Sequence, residues 1–228
     1  MAKKLFITGT GTDIGKTYVT GLILKKLQES GRSVAYYKAA MSGNERNADG
    51  DLIPGDAFHA KTASGITQPL DTMCPYVYEA AVSPHLASRL EGNPVKMDVV
   101  KAGFEKVCGD YDYVTVEGSG GIVCPIDFDS SKLQLEDVIG ELNLSSILIA
   151  DAGLGTINGV VLTAEYMKNR NLELKGVIFN NFHPGDVMEE DNIRMCEYYT
   201  GLPTLACVKP GDADLDMDAD ALAALYSE

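Results

Sequence analysis

The run Gly9-Thr10-Gly11-Thr12-Asp13-Ile14-Gly15-Lys16-Thr17 brings glycines, a lysine and a hydroxyl together in one short stretch. Glycines let backbone N–H groups turn inward on phosphate oxygens, a lysine adds a point charge, and a threonine hydroxyl can ligate Mg²⁺. The strict pattern G-x-x-x-x-G-K-[ST] wants glycine at position 10, where this chain has Thr10. Gly9 is one residue early and Gly11 one late, so the run is a variant phosphate loop. A plain flexible turn is the competing reading. Gly-Lys-Thr between an apolar run and a helix-like segment favours phosphate.

Two further groups point to the same place. Val114-Thr115-Val116-Glu117 is an apolar run ending in an acid, followed by Gly118-Ser119-Gly120-Gly121. Ligands of open α/β sheets gather at the carboxyl ends of strands, so Glu117 is placed to hold Mg²⁺ rather than merely to cap a turn. Tyr37-Lys38 closes another apolar run. Alone, a lysine reaching from a strand end into water is the better reading, but beside Lys16 it would make a pocket positive enough for a triphosphate. Asp56, His59 and His85 are ambiguous in isolation. Three histidines without ligand spacing do not suggest zinc. The five alternating aspartates between Gly211 and Asp220 lack the central glycine and closing glutamate of a calcium loop, and read as a solvated acidic loop leading into a short last helix.

The elements that must position these groups alternate along the chain. Short Val/Ile/Leu-rich runs at 5–8, 33–38, 113–117, 146–151, 174–180 and 204–208 read as strands. Longer segments at 16–30, 80–91, 97–108, 134–142, 157–169 and 187–200 read as helices. That alternation predicts an α/β fold, a mainly parallel sheet with helices on both faces, in a single domain spanning 1–228. Residues 41–78, rich in Gly, Pro, Asn, Asp and Thr, break the pattern, and so long an irregular stretch is expected to be functional or organised by ligand. The start from Met1 to Gly9 reads as the first strand rather than a signal peptide, its apolar part being too short.

The 228 residues carry 33 acidic and 19 basic side chains, a net charge of −14, which argues against nucleic acid or an anionic membrane as partner. Any phosphate must be held by a local positive site. Five scattered cysteines without a C-x-x-C pair suit a reducing compartment, so a cytoplasmic location is expected. No apolar stretch approaches the roughly 20 residues of a membrane-spanning helix.

Taken in order, these residues resemble the dethiobiotin synthetases, ATP-dependent cyclo-ligases of the P-loop NTPase superfamily. The resemblance rests on the phosphate loop, Tyr37-Lys38 with Ser42-Gly43, Asp56-Ala57, Ser83-Pro84-His85, Val116 to Gly121, Leu154-Gly155-Thr156-Ile157-Asn158 and Gly176 to Asn180. It implies ATP and Mg²⁺, with Asp13, Ile14, Gly15, Lys16, Thr17 and Tyr18 around the phosphates and Thr17, Asp56 and Glu117 around the metal. It also implies nucleotide contacts from Gly118, Ser119 and Gly120, and base contacts from Asn180, Asn181, Val208, Lys209 and Pro210. Lys38 and Lys16 would be catalytic. Thr12, Lys38, Ser42 and Asn158 would hold 7,8-diaminononanoate, Asn158 from the second subunit of a homodimer, and CO₂ or bicarbonate would be the carbon source. Two positions depart from the family: Ala39 replaces its usual proline, and Lys209-Pro210 shifts another by one residue. The competing class is a nucleotide switch of the partition or septum-site type. Such proteins carry an extra lysine early in the loop and often a basic or amphipathic terminus, unlike Gly-Thr-Gly-Thr and the acidic tail here.

Overall fold

The computed structural model of the chain describes residues 2–228. Strand β1 (Lys3–Gly9) shows why an apolar run without alternation belongs at the centre of a sheet: Leu5, Phe6 and Ile7 are all fully buried. Leu5 and Ile7 join one core and Phe6 the other, on the opposite face. With β2 (Val34–Tyr37), β3 (Tyr113–Glu117), β4 (Ser146–Asp151), β5 (Leu174–Asn180) and β6 (Thr204–Cys207) it forms a six-stranded parallel sheet in the order β2-β3-β1-β4-β5-β6. The order reverses beside β1. From there the chain runs outward to β2, returns to β3, and then crosses to β4.

Right-handed crossovers put the helix leading outward from β1 on one face and the last helix of each later crossover on the other. Helix α1 (Lys16–Glu29), α2 (Gly55–Ser64) and α8 (Ala219–Ala224) cover one face, where Val19, Ile23, Leu27, Ala57, Ala60 and Leu222 meet Leu5 and Ile7. The other face carries α4 (Met97–Asp110), α5 (Leu135–Glu141), α6 (Thr156–Asn169) and α7 (Val187–Thr200). Among the described residues no helix is long and apolar enough to cross a membrane.

Two stretches differ from expectation. Residues 41–78 are not irregular throughout, for α2 lies within them. Its sequence hides it, because the face toward α1 is made of Ala57, Ala60 and Ser64. Small residues let the helices approach closely: a Cβ added to Gly21 of α1 would stand 3.0 Å from the Ala63 Cβ. The ends of the segment are tied by Met41 N–H to Tyr76 O (2.8 Å) and Tyr78 N–H to Met41 O (2.8 Å). Buried Asn44 donates to Met41 O and Tyr78 O and accepts from Gly55 N–H at the start of α2. The second difference lies at 80–91, where α3 covers only Pro84–Leu90. Pro84 sets the first turn and leaves 80–83 as a loop.

Candidate active site

All the phosphate-directed residues stand at the carboxyl ends of β1, β2 and β3. The loop from Gly9 enters α1 through Gly15, whose φ of +87° is the left-handed region that glycine tolerates. A Cβ there would also lie 2.1 Å from the Asn180 amide nitrogen. No side chain caps α1, so its first N–H groups point at the cavity unclaimed, which is the arrangement of an anion site. Lys16 arches back to Gly11 O at 2.7 Å and is largely buried. Burial first, then repulsion from Lys38, lowers its pKa from the ordinary lysine value.

Lys38 lies just beyond β2 and is only 4% exposed. Its ammonium donates to Asp56 Oδ2 at 2.6 Å and to Glu117 Oε1 at 3.0 Å. Burial alone would lower its pKa, but Glu117 and then Asp56 outweigh that and hold it above the ordinary value. Burial would likewise raise the Asp56 carboxyl, yet Lys38, with help from Thr17 and Lys16, brings it below the usual range. Asp56 owes its place to α2, where it sits in the first turn and complements the helix dipole. Glu117 is placed by the register of β3, opposite Ile7 of β1. Its Oε1 also accepts from Thr17 Oγ1 at 2.8 Å.

The residues fit a magnesium ion on two grounds. Glu117 Oε2 is buried without a hydrogen-bond partner, an acceptor facing no donor. The two carboxylates also converge on one point, where the Lys38 ammonium and the Thr17 hydroxyl meet them, giving the hard oxygen donors that Mg²⁺ takes. Among the described residues no group of three or more His, Cys, Asp and Glu could form an all-protein cage. One hydroxyl and two acids, with phosphate and water completing the shell, is how Mg²⁺ is commonly held.

These groups line a cavity of about 430 Å³ that includes Thr12, Asp13, Gly15, Tyr18, Ser42, Ser119 and Gly120 along with the two lysines and three metal-directed residues. A second chamber of about 650 Å³ shares Thr12, Asp13, Ser42, Ser119 and Gly120 with it and continues along Ala81 to Pro84 and Gly121 to Pro125. Thr12 and Ser42 therefore stand where the chambers join. The Ser42 hydroxyl donates to Val82 O at 2.6 Å, and the Ser119 hydroxyl to Ala40 O at 3.0 Å.

The sheet brings Asn180 against the loop, while Asn181, Val208, Lys209 and Pro210 follow the ends of β5 and β6, and none of the five lines this cavity. Asn180 donates to Ile14 O at 3.1 Å and keeps a buried, unpartnered Oδ1. Asn181 donates to Asp151 Oδ2 at 2.7 Å. Val208 is buried, and Tyr18 donates its hydroxyl to the carbonyl of Asp212, tying α1 to the loop that Lys209 and Pro210 begin. Gly118 leaves room for Phe6, since a Cβ would come within 2.8 Å of its ring. Asn158 is exposed on the first turn of α6, away from both chambers. The lining Gly121 and Pro84 stand within stretches already singled out, whereas Val123 and Cys124 have no sequence signal of their own.

Comparison with known proteins decides the family. A family described as "AAA domain" matches residues 3–216. The chain is 48% identical over 217 residues to the ATP-dependent dethiobiotin synthetase BioD of Brachyspira hyodysenteriae, covering 95% of this chain and 96% of that protein. This chain belongs to the ATP-dependent dethiobiotin synthetase family. The Clostridium botulinum (strain Loch Maree) synthetase is 43% identical over 228 residues, 100% of each chain. A dethiobiotin synthetase of this kind is an ATP-dependent ligase. Among solved structures, the MinC:MinD cell division complex of Aquifex aeolicus gives a TM-score of 0.59 at 13% identity, covering 98% of this chain and 94% of that one. Identity that low shows the shared fold alone, so the likeness carries no argument for a switch.

Proposed function

We propose that residues 1–228 act as one domain that closes the cyclic urea of dethiobiotin from 7,8-diaminononanoate, CO₂ and ATP, with Mg²⁺. The observation that carries this reading is the pair of lysines in one cavity: Lys16 at the phosphate loop and Lys38 buried between Asp56 and Glu117. One amine of the substrate adds to CO₂ and loses a proton, giving a carbamate. The carbamate oxygen attacks the γ-phosphorus and ADP departs, leaving a carbamic-phosphoric anhydride. The neighbouring amine attacks the anhydride carbon, and phosphate leaves with the ring closed.

The protein's part is positioning and charge neutralisation. The N–H groups at the start of α1 and Lys16 hold the triphosphate. Thr17, Asp56 and Glu117 would hold Mg²⁺, which would supply positive charge to offset that developing on the phosphates. Lys38 faces the carbamate, and Ser42 and Thr12, between the chambers, hold the diamine. Asn180, with its open Oδ1, and Asn181 face the base alongside Val208, Lys209 and Pro210.

The reading includes a homodimer in the cytoplasm, without nucleic acid or membrane as partner. Supporting the dimer, Leu154 is 90% and Leu162 61% exposed on either side of Asn158. A second copy covering them would also cover Asn158, which stands between them in the chain. The test is carbon tracing. With ¹³C-bicarbonate, diaminononanoate and Mg-ATP, the purified protein should place the label in the ureido carbon of dethiobiotin. Unlabelled or absent product rejects the reading.

A further inference from the structure

The two acids that would hold the metal are already engaged by protein groups. Lys38 donates to Asp56 Oδ2 at 2.6 Å and to Glu117 Oε1 at 3.0 Å, while Thr17 takes the same Glu117 oxygen. Glu117 Oε2 is the buried oxygen of the pair left without a hydrogen-bond partner. The side chains of Lys38 and Glu117 are almost wholly buried, while that of Asp56 keeps more than a third of its surface exposed. Removing the ammonium would leave the acids facing each other in a poorly solvated place.

We propose that Lys38 is a resident counter-cation, occupying the place between Asp56 and Glu117 that a divalent ion takes, and that it must swing away when the ion arrives. This rests on reading the cavity as a Mg-ATP site. The consequence concerns this chain's own lysine. While paired to two carboxylates, Lys38 has little charge to offer a second anion, so the reacting carbamate meets it only in the metal-loaded site. A lysine held back in this way also withholds its help from idle ATP hydrolysis before the site is complete.

The same contacts allow the opposite arrangement, in which ion and ammonium sit together around the two acids. Competition and coexistence predict opposite effects of deleting the lysine. Competition makes the ion bind more tightly without Lys38; coexistence leaves affinity unchanged, or weakens it if the ammonium orders the carboxylates.

The test uses Mn²⁺ as probe, titrated into the nucleotide-free full chain and followed by the paramagnetic resonance of free ion. K38M is expected to bind at least about tenfold more tightly than wild type, a change of about 1.4 kcal/mol. Equal or weaker binding, or no binding by either protein, overturns the proposal. Should K38M not fold, the wild type decides: trace acetylation of Lys38, read by mass spectrometry against Lys175 at the far end of β5, should rise several-fold on adding Mn²⁺. Unchanged or reduced labelling overturns it. Neither readout involves ATP or diamine. Ring closure without these effects would sink this inference alone, and these effects without ring closure would sink the ligase reading alone.

Discussion

The energetics of single residues in this site follow from how completely their charges are withdrawn from water. Lys16 lines the loop cavity and makes one hydrogen bond of its own, to Gly11 O. Its loss should cost turnover far more than folding. K16A is expected to keep a wild-type circular dichroism spectrum and lose about 10²-fold or more in kcat, the scale of removing one transition-state donor. Lys38 is different, because it neutralises two carboxylates. Asp56 has its pKa depressed in the folded chain, so the pair's stabilisation is complete above the ordinary carboxylate value and is lost as pH falls through the depressed one. The raised Lys38 pKa adds stability that is full below the ordinary lysine value and is lost as pH rises through the folded one. In K38M Asp56 loses the partner that holds its carboxyl down, and burial then favours its protonated form. That variant should be destabilised at neutral pH by on the order of 3 kcal/mol, the low end for a broken buried pair because Asp56 is over a third exposed. It should regain stability on acidification toward the carboxylate range, where wild type begins to lose it. Urea unfolding across pH reads the two slopes, and parallel slopes would show that the ion pair carries no weight.

At the scale of elements, each site residue is delivered by a strand end or a helix start. α2 is the element whose identity matters most, since it carries Asp56. Fully buried Ala60 packs against α1 near Gly21. A60L should overpack that contact, costing about 1–3 kcal/mol and displacing Asp56 from Lys38. Denaturant midpoint and kcat should fall together, and a stable, fully active A60L would show that α2 does not set the geometry. The same helix marks the limit of the sequence. The six strands were legible because central parallel strands are continuous apolar runs, and the phosphate loop because glycine, lysine and threonine stand at its turn. A helix packed through Ala57, Ala60 and Ser64 leaves no apolar stripe to read, and Asp56 was reached only through the family resemblance. Asn44, which fastens the start of α2, is also silent in sequence, since its role depends on carbonyls 3 and 34 residues away.

For the whole molecule, the acidic surface and the local positive site belong together: a net charge of −14 disfavours stray polyanions, while two lysines and a helix terminus select phosphate in one place. If a second copy completes the site, L162E should give a monomer by sedimentation with a raised KM for diamine. A monomer of unchanged KM would mean that one chain suffices. Coupling of ATP cleavage to ring closure is what would separate this ligase from a nucleotide switch. Its most direct test is phosphate release by the purified chain with diaminononanoate, bicarbonate and Mg²⁺ each omitted in turn. Release should require all three together, and equal release without the diamine would contradict the account.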